Sequence, residues 1–449
     1  MTEYVGAHIP VLDAPPIHRQ RSGFWQSWPG GAKTLLLQLF FALLIAFAMF
    51  CFSRAFHATT GKLNLLMVYL RYLLWPTILL GLAIHLFRRG GAHYARTVPI
   101  LLPFLTIGIV SGALGFDPVD STRMIIFWVL AVTAGIVIGA ELPARTIRSV
   151  ILWTLFGLLV LSILLVIAKP GFAIMRDART GDAGAWRGLF PGKNALGQMS
   201  AFAIVLAVAA TDMAWKWRSL IILAAIVCLI FAASQGSVLL AAAGIGFLFA
   251  IGFLKKTGLT SGVQASILLF LSVFITVLAY AAYAPVLELL GRDPSLTGRT
   301  DIWANYFDRA LDHWIIGAGP DSFMSLSSVT GDIGRKFGVD TPHNMYLAAF
   351  GETGIFGLFA YATAWIYFAF VVPFRFSGLM AMQTAAVAFL MIFGGLGETH
   401  EVFGPAFGMF LTMCLYSGML SSREAEPKAV VGRRASVDDI YQPSIPRLA

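Results

Sequence analysis

Three stretches of the chain concentrate residue types that bind an anion and move a proton. The first is RGLFPGKNALG at 187–197. Gly188, Pro191 and Gly192 favour a turn there. Arg187 and Lys193 flank the turn, and Asn194 stands where a helix would begin. Unpaired backbone N–H groups, the helix dipole and adjacent cations together favour a phosphate. The competing reading is a pair of interfacial cations that meet lipid headgroups. The second stretch opens at Arg292 and continues through LTGRTDIW at 296–303, where Arg299 directly follows Gly298. The third is Asp340-Thr341-Pro342-His343-Asn344. Thr341 is a good N-cap and Pro342 a favoured first helical residue, which predicts His343 in the first turn of a long helix. The positive end of the dipole disfavours a protonated imidazole, and a neutral one serves as a general base. The competing reading is an interfacial histidine in a polar cap.

Other charged positions suggest less. Arg71 lies inside an apolar run, a default functional candidate that snorkelling to the interface would also explain. Glu398, His400 and Glu401 cluster in one short turn, but no matching cluster stands elsewhere, so no metal site and no cofactor are expected. The three cysteines, Cys51, Cys228 and Cys414, sit in apolar runs without zinc spacing. There is no nucleotide-binding loop and no serine-hydrolase elbow, and no paired-aspartate motif stands in the membrane domain or its loops; the one adjacent pair, Asp438-Asp439, falls in the tail. That argues against a metal-bound nucleotide sugar as substrate, and nucleic acid is not an expected partner.

The elements that must position these residues are membrane helices. Of 449 residues 58% are apolar and 12% charged, against about 25% charged in a soluble domain. A soluble globular enzyme and a disordered chain are both excluded. About 260 apolar residues supply about a dozen spans at about 20 each. They lie near 34–53, 64–87, 97–115, 123–140, 148–168, 194–211, 219–234, 236–254, 264–286, 343–373, 378–397 and 401–421. The run 219–254 is too long for one span and is expected to turn at Ser234-Gln235-Gly236-Ser237.

Twelve spans place both termini on one side. Eighteen of the 32 Lys and Arg residues fall on that side, so it is assigned to the cytoplasm. Residues 1–33 are then a cytoplasmic segment, 34–421 the membrane domain, and 422–449 a charged, Pro-containing tail expected to be disordered. Two external loops, about 169–193 and 287–342, carry ten cations against the rule. Either ordered loops translocate despite their charge, or the cations bind an anion at the outer face. From Asp301 the second loop reads as an amphipathic helix. Ile302, Trp303, Tyr306, Phe307, Ala310, Leu311 and Trp314 lie on one face, and Asp301, Asn305, Asp308 and Asp312 on the other. It is expected to lie flat on the membrane, aromatic side down. Its acidic stripe would contact sugar hydroxyls or merely be solvated.

These motifs, in this order, resemble the O-antigen ligase/polymerase superfamily of bacterial envelope glycosyltransferases. The matching segments are Arg187–Asn194, Gly298-Arg299-Thr300-Asp301, the Gly317–Phe323 turn, Pro342-His343-Asn344 with Tyr346-Leu347, and GETGIFGL at 351–358. The resemblance implies an all-helical fold of the GT-C type in the inner membrane, with its active site at the periplasmic face. It implies a polyprenyl (undecaprenyl) diphosphate-linked glycan as donor and a sugar hydroxyl, on a glycan or on lipid A–core, as acceptor. The implied reaction is metal-independent and inverting. Other polysaccharide assembly and export proteins are potential partners, besides membrane lipids. Arg187 and Arg299 would hold the diphosphate and His343 would activate or position the acceptor. Lys193, Asn194, Arg292, Asp301, Asn344 and Arg71 are the further binding candidates. One departure stands out: where the family often carries a cation between two middle spans, this chain reads Ser234-Gln235-Gly236-Ser237-Val238. Arg71, Arg292 or Lys193 would have to compensate. FPGKNALG looks more like the exopolysaccharide-polymerising branch, so a polymerase is favoured over a ligase. A transporter or flippase is the reading from another class, and it is disfavoured because the candidate charges lie in loops rather than at mid-membrane.

Overall fold

The computed structural model describes residues 30–56, 61–176, 183–289, 299–323, 328–339, 341–398 and 402–425. Arg292, His400, Glu401 and the tail beyond 425 lie outside them. The described helices are α1 (Gly30–Phe52), α2 (Gly61–Arg89), α3 (Ala92–Thr97), α4 (Leu102–Leu114), α5 (Pro118–Glu141), α6 (Ala144–Ala168), α7 (Pro170–Ala173), α8 (Lys193–Ala209), α9 (Trp215–Phe231), α10 (Gln235–Leu254), α11 (Ser261–Leu289), α12 (Arg299–Leu311), α13 (Gly331–Phe337), α14 (Met345–Ile366), α15 (Val372–Arg375), α16 (Leu379–Gly394) and α17 (Phe407–Ala425). A π-helical turn, Tyr367–Val371, joins α14 to α15. Among the described residues the only extended pairing is one isolated bridge, Ile174 to Trp186. Residues Met1–Phe40 form one unit, described from the start of α1, and Phe41 onward forms a second.

Each expected apolar run coincides with a helix. Seven described helices are long and apolar enough to cross a membrane, and four further apolar helices are shorter. The run 97–115 is represented chiefly by α4, whose 13 residues reach about 20 Å, less than a hydrocarbon core of about 30 Å. The run 219–254 does split, but two residues earlier than expected: α9 ends at Phe231, Ala233 takes a positive φ of 51°, Ser234 is the N-cap, and Gln235, Gly236 and Ser237 form the first turn of α10. Apolar side chains such as Leu239, Phe249 and Phe270 are about 70% exposed. Water would oppose so much open apolar surface; lipid accepts it.

Packing in the second unit follows small residues. Asp117 caps α5, accepting from the backbone N–H groups of Val119 and Asp120 at 3.1 Å, with Pro118 first in the helix. Along α5, Gly135 and Gly139 leave room for α17: a Cβ at Gly135 would stand 2.7 Å from the Phe410 carbonyl. Such a small-xxx-small seam lets two membrane helices approach closely. Ser417 Oγ of α17 donates to the Ile136 carbonyl at 2.6 Å across the same seam.

The flat-lying amphipathic helix is a more embedded element than the sequence suggests. α12 begins at Arg299, two residues before Asp301. Ile302, Tyr306 and Ala310 are buried in a small core with Ala318, Phe323, Ile333 and Phe350. Protein, not lipid, takes that face. Phe307, Leu311 and Trp314 remain about half exposed, and Asp301 and Asp308 are exposed on the other side.

Candidate functional site

The segment 314–322 and helix α14 fix each other. Gly354 takes φ 66° and ψ −169° inside α14, and the break opens backbone groups of the GETG segment. Ile355 N–H donates to the Trp314 carbonyl at 2.8 Å, Ala318 N–H to Gly351 at 2.8 Å and Gly319 N–H to Glu352 at 3.0 Å. Gly317, at φ 77°, lies so close to the Glu352 backbone that a Cβ would collide with it. The motif pair 317–323 and 351–354 is therefore a joint. It ties the loop holding α12 to the helix that follows His343.

The start of α14 differs from the capping expected. Asn344, not Thr341, is the N-cap: its side chain accepts from Tyr346 N–H and Leu347 N–H, each at 3.0 Å. Helix α14 begins at Met345, whose N–H donates to the Gly395 carbonyl at 2.8 Å. His343 thus precedes the cap rather than occupying the first turn, and it takes a left-handed φ of 50°. That conformation costs a non-glycine residue about 1–3 kcal/mol and collects at working sites. Trp303 of α12 donates through Nε1 to the Pro342 carbonyl at 2.8 Å and steadies this bend.

The bend places His343 against a carboxylate from a distant part of the chain. Glu398, in the loop after α16, gathers three donors. Its Oε1 accepts from Asn194 Nδ2 at 2.6 Å and from Arg299 Nη2 at 3.0 Å, and its Oε2 stands 3.4 Å from His343 Nδ1. Arg299 also donates through Nη1 to the Gly397 carbonyl. Asn194 Oδ1 accepts from Ser234 Oγ at 3.1 Å, and Ser234 and Ser237 hydroxyls lie 2.9 Å apart. Burial pushes the Glu398 carboxyl up, but the His343 hydrogen bond and the Arg299 charge outweigh it and hold it below its ordinary value.

A cavity of about 210 Å³ adjoins this cluster. Arg54, Asn194, Gln198 and Glu398 give it polar lining; Trp128, Phe202, Trp365 and Phe407 give it apolar lining. Arg54 takes a left-handed φ of 54° just past α1. In the sequence it stood out only as a loop cation, because nothing local ties it to residues 140 positions away. The chain's cation-free Ser234–Ser237 stretch belongs to the cluster through its hydroxyls.

The remaining expected residues are dispersed. Asn194 and Lys193 open α8, whose cap, Gly192, has no side-chain bond. Arg187 makes no direct contact with the Glu398 cluster among the described residues. Its Nε donates to the Phe172 carbonyl at 2.6 Å, its guanidinium lies 4.9 Å from the Phe172 ring centroid, and burial lowers its pKa from the ordinary value. Arg71 donates to the Ala55 carbonyl at 3.0 Å. Asn344 serves as cap, and the Asp301 side chain is exposed.

Residues 219–362 match the family model described as O-antigen ligase. The match spans roughly a third of the chain, includes Arg299 and His343, and lies between Asn194 and Glu398. No curated protein and no solved structure matches the chain.

Proposed function

We propose, from the match of residues 219–362 to the O-antigen ligase family model, that this membrane protein transfers a glycan from a polyprenyl diphosphate to a sugar hydroxyl. The observation that carries the proposal is the convergence of Arg299, His343 and Asn194 on Glu398. It puts a proton acceptor, a cation and a hydrogen-bonding amide beside one cavity.

The chemistry follows from the donors and acceptors. With Nδ1–H directed at Glu398, His343 keeps the Nε2 lone pair for the acceptor hydroxyl. The hydroxyl oxygen attacks the anomeric carbon as its proton passes to Nε2. The anomeric C–O bond breaks on the opposite face, its electron pair leaves with the diphosphate, and the configuration inverts. Fixed guanidinium groups stabilise the charge that develops on the diphosphate. Among the described residues Arg299 uses two of its five N–H groups, on Gly397 and Glu398, and the other three would serve the donor. Arg54 lines the cavity and supplies the cation absent from 234–238; Arg187 and Lys193 flank the α8 N-terminus on the approach. The reaction takes place at the periplasmic face of the inner membrane, with both termini in the cytoplasm.

Polymerisation of repeat units is the favoured outcome, on the FPGKNALG segment; the family description favours ligation as the second reading. Lipid-linked glycan from a deletion strain separates them. A lost polymerase leaves single-unit products, whereas a lost ligase leaves long polymer on the lipid carrier. A strain carrying His343→Ala should reproduce the deletion with the protein still inserted. Normal polymer from that strain would sink the assignment.

A further inference from the structure

The end of α8 away from Asn194 holds a second polar cavity. Seventeen residues separate the two ends of α8 by about 25 Å, so this cavity is distinct from the Glu398 cluster. Its volume is about 290 Å³, and Arg145, Arg148, Trp153, Asp212 and Trp217 are among its walls. Two helices begin beside it, α6 at Ala144 and α9 at Trp215. Neither has a side-chain cap or an acidic residue in its first turn.

The charges here run against ordinary helix electrostatics. Cations are disfavoured near a helix N-terminus, yet Arg145 and Arg148 lie near the start of α6, and Lys216 and Arg218 near that of α9. Arg218 is occupied in closing α8, donating to the Ala207 and Val208 carbonyls at 3.0 and 2.9 Å. Arg148 pairs with Asp212, the one carboxylate of the cavity wall. The Arg148 side chain is 11% exposed, and its Nε–H is buried without an acceptor. Arg145 is exposed and joins no ion pair among the described residues. Two uncapped helix N-termini and two guanidinium groups thus border a cavity whose wall holds one carboxylate. An oxyanion satisfies all of them at once.

The aromatic wall indicates where that anion comes from. Trp153 and Trp217 meet edge to face at 5.3 Å, and each remains about 40% exposed. Lys216 Nζ lies 5.2 Å from the Trp217 ring centroid, and Trp215 is 70% exposed. Exposed tryptophans beside cations mark the headgroup level of a bilayer. We propose that this cavity binds the phosphate of an anionic phospholipid, held between Arg145 and Arg148 with its glycerol backbone against Trp153 and Trp217.

Native mass spectrometry of the full-length protein, released from nanodiscs of phosphatidylcholine with or without phosphatidylglycerol, tests this. The wild type should retain phosphatidylglycerol in preference to phosphatidylcholine. Arg145→Gln, at an exposed side chain, should lower that retention about tenfold, the loss of one charge-assisted phosphate contact. Asp212→Asn should raise it by releasing Arg148, a gain that a merely structural ion pair would not produce. Displacement of the lipid by millimolar inorganic phosphate supports recognition through the phosphate. Equal retention of both lipids, or of phosphatidylglycerol by wild type and Arg145→Gln, overturns the proposal. So does stabilisation by inorganic phosphate without any lipid preference, which would assign the cavity to a soluble phosphate ester.

Discussion

Glu398 is the residue on which the candidate site turns, and the role proposed for it is electrostatic. It accepts from Asn194, Arg299 and His343, at sequence separations of 204, 99 and 55 residues. Replacing it by Gln keeps the shape and removes the charge. Arg299 and His343 then lose a charge-assisted partner, and glycan transfer should fall about 10- to 100-fold. His343→Ala removes the proposed proton acceptor and should cost about 10²- to 10⁴-fold. Polymer yield in complemented deletion strains, normalised to membrane-inserted protein, checks both; full activity of Glu398→Gln would show that the carboxylate only packs. The pH dependence has a defined sign. A carboxyl held below its ordinary 4.5 contributes stability above that value and loses it as pH falls through its lowered one. The melting-temperature gap between wild type and Glu398→Gln should therefore be flat from neutral pH down to that value and narrow below it. Local spacing and motif order pointed to His343, Arg299 and Asn194, but not to the carboxylate joining them. In the sequence Glu398 reads as one third of a weak metal cluster, since its partners are brought to it only by tertiary packing. Thr341 and Asn344 are comparable caps on propensity; the Gly395 carbonyl that receives Met345 N–H decides between them.

At the scale of elements, the broken α14 is the device that holds His343 and α12 in register. The break cannot be read from GETGIFGL, which looks like continuous helix, because its cause is the Trp314–Gly319 backbone docking into it. Where elements are fixed by composition alone, the reading is sound: apolar runs are helices, and the overlong run does break, although at 232–234, where the polar stretch only begins, with Gln235, Gly236 and Ser237 already inside α10. Gly354 makes the difference measurable. Alanine there must hold φ near 66°, and its Cβ would collide with the Ile315 carbonyl. Strain and overpacking together should cost about 2–4 kcal/mol. Gly252 lies inside α10 with open space around it, so Gly252→Ala should be neutral or stabilise by about 0.5–1 kcal/mol. Thermal unfolding in one detergent compares the two. Equal effects would mean that the break is incidental to stability.

For the whole molecule, the distribution of charge makes an orientation that can be tested directly. The candidate site and the second cavity sit at opposite ends of α8, and both are basic, so net charge by itself cannot say which end faces out. The distinction lies in loop length. The positive-inside rule acts on cations in short connections, such as Arg88 and Arg89, Arg145 and Arg148, and Lys255 and Lys256. Long, structured segments escape it, and the segment from α12 to α14 is folded around its own small core. The end bearing Glu398 should therefore face the periplasm. Single cysteines at Lys336 and Lys256, both exposed, report the two ends. The native Cys51, Cys228 and Cys414 are buried and should stay silent. A membrane-impermeant maleimide should label Lys336→Cys in intact spheroplasts and Lys256→Cys only after permeabilisation. The reverse pattern would put the Glu398 cluster in the cytoplasm, out of reach of a donor displayed on the outer leaflet, and the glycosyl-transfer proposal would fail with it.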